Sequence, residues 1–105
     1  MTRNAEHVHV DPAEVDRIRQ HIEQLPNGAH VVLQMDDGDR LEGVVAARPV
    51  AQLFFDPDGR EGTNAVLRLE HPSINAPAIG DADSGSWRDV WVDRIRAVRR
   101  LDPAD

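Results

Sequence analysis

The chain has no cysteine and no lysine. Without cysteine there is no disulfide framework, thiolate nucleophile or cysteine-based zinc site to consider. All 12 basic residues are arginine, set against 19 acids, for a formal charge of −7. Such a chain is repelled by phosphate backbones at long range, so nucleic acid would have to be held by a local basic patch. Long apolar runs are missing too. The longest cover only a few residues, far short of the ~20 a membrane helix needs. Residues 1–10 carry acid and histidine and no apolar stretch of the signal-peptide kind, so a cytoplasmic location is expected.

What is present suits one domain. A chain of 105 residues buries roughly two-thirds of the surface its unfolded form exposes. Its 40% hydrophobic and 30% charged content is that of an ordinary globular protein.

A helix is expected over residues 11–25. Asp11 suits the N-cap, Pro12 the first helical position, and Glu14 the acidic partner of a capping box. Val10 and Val15 are spaced as a hydrophobic staple. Val15, Ile18, Ile22 and Leu25 form one apolar stripe, and Pro26 with Asn27-Gly28 ends the helix.

From His30 the period shortens to two. Val31, Leu33 and Met35 alternate with Val32 and Gln34, then Asp36-Asp37-Gly38-Asp39 turns the chain. Leu41 to Ala47 resumes an extended pattern, with Gly43 where a bulge or bend is expected. Further strands are expected at 50–55, 65–70, 87–92 and 95–101, with a tight turn, short enough for a single 3₁₀ step, near Asp93-Arg94. Residues 71–86, rich in Pro, Gly, Asp and Ser, are expected to form one long loop. The expected fold is mainly β with one N-terminal helix, as a small, strongly bent five-stranded antiparallel barrel of Sm-like or SH3-like form. It reads as a single domain, 1–105, with a flexible terminus at 1–10 and the barrel at 30–101.

The stretch His30 to Val45, with its Asp-Gly turn and its glycine in the second strand, resembles the first Sm motif. Val90 to Val98 is similar to the second in its apolar spacing. From Asp11 to Leu101 the chain resembles a small bacterial family described as a variant of the Sm-like fold. The resemblance implies RNA as a ligand and assembly into homo-oligomers, dimers or rings, through the edges of the last two strands. It also marks what has changed. The Sm family's RNA-binding Asp falls at Pro49, its Asn at Gln52 or Leu53 depending on a one-residue gap, and its Arg-Gly pair at Trp91-Val92. Fold does not carry function by itself.

Among polar residues, Arg88, Arg94, Arg96, Arg99 and Arg100 gather near Trp87 and Trp91. Arginine beside aromatic rings can hold phosphates and stack on bases. The plainer account is solvent-facing arginines balanced by neighbouring acids. Arg88, Arg94, Arg96 and Arg99, with Gln52 from the Sm comparison, are the candidate nucleic-acid contacts. Trp87 and Trp91 alternate onto one side of their strand and are candidate interface residues, or else two core tryptophans.

His7 and His9 make one close pair, too few for a metal site, and are expected to be exposed histidines near a frayed end. The acids at 36–39, 56–58 and 81–83 do not have EF-hand spacing and suit turns. Asp83-Ser84-Gly85-Ser86 is superficially similar to a protease nucleophile region, in far too short a chain. No catalytic motif, metal site or cofactor fingerprint is present. Two functions remain: a non-catalytic module that binds RNA or single-stranded DNA, or a protein-interaction and scaffold domain that has lost the RNA site.

Overall fold

The computed structural model describes residues 4–74 and 87–101. A single helix, α1 (Pro12–Glu23), is followed by β1 (His30–Met35), β2 (Arg40–Ala47), β3 (Gln52–Phe55), β4 (Glu61–Asn64), β5 (Val66–Ile74), β6 (Trp87–Trp91), the 3₁₀ turn η1 (Val92–Arg94) and β7 (Ile95–Arg100). Five strands make one antiparallel sheet in the order β6-β5-β2-β1-β7, and β3-β4 form a separate hairpin. The fold is mainly β with one helix, as expected.

Asp11 caps α1 through its backbone, its carbonyl accepting from Val15 N–H at 3.0 Å, and its side chain makes no capping bond. Glu14 does not close the expected box. Its carboxylate lies 3.4 Å from Arg17 Nη2 and 4.0 Å from His9 Nδ1, drawn to the opposite charges. Val10 is 77% exposed, so the staple does not form either. At the other end Gln24 and Leu25 N–H groups donate to His21 and Ile22 carbonyls, tightening the last turn before Pro26.

One face of the sheet is covered. Ile18, Ile22 and Leu25 pack with Val31, Leu33 and Met35 of β1, Leu41 and Val45 of β2, Leu67 and Leu69 of β5, Val90, Val92 and Ile95. Val15, the first residue of the predicted stripe, is only half-buried. β2 is central and departs twice from regular register against β5, between Glu42 and Val44 and between Val45 and Ala47. Gly43 lies at the first departure. A side chain there would stand 3.0 Å from the Glu70 carbonyl and 3.4 Å from Leu69 Cβ, so the two strands approach closely only because it has none.

Three expectations change. Glu61–Asn64 is a strand, paired with Gln52–Phe55 in continuous register. Its Glu, Gly and Asn content hides it from β-propensity, and pairing decides. Residues 71–74, expected to begin the long loop, continue β5 and pair with β2, Ser73 facing Glu42 and Ile74 facing Leu41. The rest of that loop, 75–86, lies outside the described residues. The strands also form a ladder with two ends, β6 and β7. Pairing between those ends is not among the ladders of the described residues.

The segment expected to be a flexible terminus runs across the hairpin. Ala5 N–H donates to the Phe55 carbonyl at 2.9 Å, and His9 and Thr63 exchange backbone bonds of 3.0 and 2.8 Å. Buried Asn64 donates through its side chain to the His7 carbonyl at 2.9 Å. Gly62 makes room for this strap: a Cβ there would sit 2.9 Å from both His9 N and Val8 Cβ. Gly62→Ala should therefore lift the strap and cost roughly 1–3 kcal/mol of stability, as overpacking does. Faster amide exchange at His9 and Thr63, with a lower denaturation midpoint, is the expected result.

Candidate functional site

The arginines near the C-terminus do not form one patch. Arg94, in η1, faces two carboxylates: its Nε lies 3.3 Å from Asp36 Oδ1 and its Nη2 3.4 Å from Asp37 Oδ2. Asp36 chiefly, with Asp37 and Glu6 adding to it, raises the guanidinium pKa further above an already high value. Arg94 therefore closes the β1–β2 turn against η1, helped by the Asp36 N–H bond to the Arg94 carbonyl at 2.9 Å.

Arg96 and Arg99 occupy β7, one on each face. Register puts Arg99 beside Val32 and Ala97 beside Gln34, both on the outer face of β1. Arg96 instead lies with Gln20, His21 and Gln24 of α1. Arg88 sits on β6, at the opposite end of the sheet, in register with Leu69. Among the described residues, Arg88, Arg96 and Arg99 have no acidic partner. Gln52 opens β3 opposite Asn64, remote in sequence and element from the rest.

The tryptophans share a face of β6, as the alternation predicts, and then diverge. Trp91 meets Phe54 of the hairpin edge-on, ring centroids 5.3 Å apart, and is half-buried. Trp87 stays 55% exposed. The Arg68 guanidinium lies 4.0 Å over its ring and, through Nε, 3.1 Å from Asp89 Oδ1. Trp91 thus fastens the inserted hairpin to the sheet, whereas Trp87 stands at an open edge.

Of the positions that the Sm resemblance aligns with RNA contacts, three serve packing here, whereas Leu53 is 60% exposed. Pro49 is buried, Trp91 packs on Phe54, and Val92 is fully enclosed.

A polar cluster that sequence spacing does not reveal joins the strap to η1. His9 Nε2 lies 2.9 Å from Asp93 Oδ2, and the Asp93 side chain is only 6% exposed. Arg17 donates from Nη2 to the Asp93 carbonyl at 3.1 Å and from Nη1 to the Ile95 carbonyl at 3.0 Å. His9 is therefore held, not a frayed-end histidine. No group of three or more His, Asp or Glu side chains among the described residues is arranged to hold a metal ion. No helix among them is long and apolar enough to cross a membrane.

A helix packed on a bent five-stranded antiparallel sheet, in which β6 and β7 are not paired among the described residues, is a variant of the Sm-like arrangement. A crystal structure from Xanthomonas campestris, the XC5848 protein described as adopting a novel variant of the Sm-like motif, matches this chain with a TM-score of 0.79 and 30% identity. The match covers 97% of this chain and 100% of that one. Residues 2–101 fit the profile of a domain of unknown function, DUF3247, and the chain belongs to that family. No curated protein is similar to it in sequence.

His21 is the one titratable residue buried as a whole among the described residues. Its Nδ1 lies 3.4 Å from Gln24 Oε1 and its Nε2 has no hydrogen-bond partner. Burial, reinforced by the nearby Arg17 charge, lowers its pKa below the ordinary 6.5. The unfolded imidazole thus takes its proton first as pH falls. The folded state is undiminished above 6.5 and loses stability as pH drops from there through the lowered folded value. Urea melts at about pH 7.5 and about pH 5.5 should show a smaller loss of stability for His21→Leu than for the native chain.

Proposed function

We propose that this chain is a non-catalytic interaction module that assembles with copies of itself, β6 of one copy against β7 of the next. The observation that carries this reading is that one sheet ends in two strand edges with complementary outer faces. β6 presents exposed Trp87 beside the exposed acid Glu70 of β5, while Asp89 is already paired with Arg68. β7 presents the small Ala97 and the unpaired Arg99 on the outer face. Backbone pairing between such edges continues the sheet, and opposite charges across it set partner and register. Because the two edges differ, each contact leaves one edge free on either side, and assembly closes as a ring or runs on as a filament. The Sm-like neighbour and the family's fold favour the same reading.

Light scattering tests it. The native chain should have a mass several times that of a protomer. Trp87→Glu, which spoils β6, and Arg99→Glu, which spoils β7, should each shift it strongly toward protomer. Mixed together, the two variants should recover a two-copy species, because each keeps one sound edge. Unchanged assembly in both variants would sink the reading.

A second reading, binding of RNA or single-stranded nucleic acid, is favoured by Arg88, Arg96 and Arg99, which have no acidic partner among the described residues. In that case Arg96→Ala with Arg99→Ala should weaken binding of a U-rich RNA and lower its salt slope by about 1 for each phosphate no longer neutralised. Arg94→Ala should do less, since Asp36 and Asp37 already occupy that guanidinium. Fluorescence anisotropy over a salt series measures both; no binding of the native chain at low salt excludes this function.

A further inference from the structure

Between the second half of α1 and the connection from β2 to β3 runs a groove of about 440 Å³, lined by Arg19, Ile22, Glu23, Arg48, Val50 and Ala51, with Pro49 below. We propose that it binds an extended peptide from a partner, in which an apolar side chain is flanked by carboxylates.

The floor is apolar. Ile22 and Ala51 continue into the core, and Pro49 is buried, whereas Val50 stays 63% exposed. Burying it against a ligand's aliphatic side chain removes apolar surface from water on both sides. The volume falls within the range of ligand sites and holds a few side chains, not a folded surface.

The walls are cationic and come from different elements. Arg19 belongs to α1 and Arg48 to the connection. Neither guanidinium has an acidic partner among the described residues, in a chain whose net charge is −7. Glu23 at the rim offsets one of these charges, leaving an excess of one positive charge. Cations on two walls of an apolar trough match carboxylates on either side of an apolar residue, as in an acidic-apolar-acidic segment. Arginine suits this task, since its planar fork takes a carboxylate by two parallel hydrogen bonds.

The groove is also built before any ligand arrives. Arg48 N–H donates to Asn27 Oδ1, Gly28 N–H to the Val45 carbonyl at 2.8 Å, and Val45 N–H to the Ala29 carbonyl at 2.9 Å. These bonds hold the segment leaving α1 against the end of β2, and so fix the distance between the walls. Little ordering remains to oppose binding. The lining belongs to neither edge strand, so the site stands or falls independently of β6–β7 assembly.

The probe is a short fluorescein-labelled peptide of sequence Leu-Asp-Leu-Asp-Leu, with Leu-Lys-Leu-Lys-Leu as its counterpart, in anisotropy titrations against the whole chain. The acidic probe should bind saturably and the basic one not. Arg19→Ala with Arg48→Ala should weaken binding by at least about tenfold, as loss of charge-assisted bonds does. Val50→Asp should do likewise by repulsion. All three positions are exposed, so the fold persists, and circular dichroism checks this. Amide shifts on titration should centre on Ile22, Val50 and Ala51. Absence of binding, equal binding of the basic peptide, or unchanged affinity in the arginine variant would overturn the proposal. So would displacement of the acidic probe by U-rich RNA at lower concentration, which would assign the groove to nucleic acid.

Discussion

One helix covers one face of a five-stranded sheet, and the rest of the molecule follows from that constraint. Ile18 and Ile22 of α1, with Leu25 just beyond it, reach the core and must close over residues from five strands. A flat sheet is too broad for one helix to cover. β2 accommodates this by two register departures against β5, with Gly43 placed where a side chain would meet the Glu70 carbonyl. Arg17 then joins α1 to the turn between the last two strands through the Asp93 and Ile95 carbonyls. With the single helix spent on the inner face, no element among the described residues pairs with the outer edge of β6 or of β7.

Charge is distributed in accordance with that geometry. Arginines are paired where elements meet, Arg94 with Asp36 and Asp37 and Arg68 with Asp89, and within α1, Arg17 with Glu14. These exposed pairs contribute little stability each, though they set local geometry. Arg88, Arg96 and Arg99 on the sheet's end strands, and Arg19 and Arg48 beside the groove between α1 and the β2–β3 connection, have no acidic partner among the described residues. An acidic chain that leaves particular cations unpaired has surface charge available for recognition. Its long-range field still opposes polyanions, most strongly those of high charge density such as nucleic acid.

The inserted β3–β4 hairpin explains how the fold departs from what the Sm resemblance implies. Phe54 from this hairpin meets Trp91, at one of the positions where Sm proteins hold RNA, and the residues-4–9 strap crosses the hairpin and ends at His9 on Asp93. Pro49, Trp91 and Val92, three of the positions that the Sm resemblance aligns with RNA contacts, serve packing here.

Sequence alone determined the helix, the β1–β2 hairpin with its aspartate-rich turn, the bend at Gly43, the 3₁₀ step at Asp93-Arg94 and the split of β6 into two faces. Each is set by neighbours a few residues apart: a period of 3.6 or 2, a turn-forming pair, a residue without a side chain. Only tertiary structure decided which tryptophan is packed and which is exposed, that the arginine run divides among three places, and that Glu61–Asn64 is a strand. It also decided that residues 4–9 form a strap across the hairpin. These outcomes rest on partners up to 84 positions apart, as in His9 with Asp93. Long-range pairing and charge compensation leave no local period, so a linear reading groups Arg88, Arg94, Arg96 and Arg99 together, while the sheet's order places them at opposite ends.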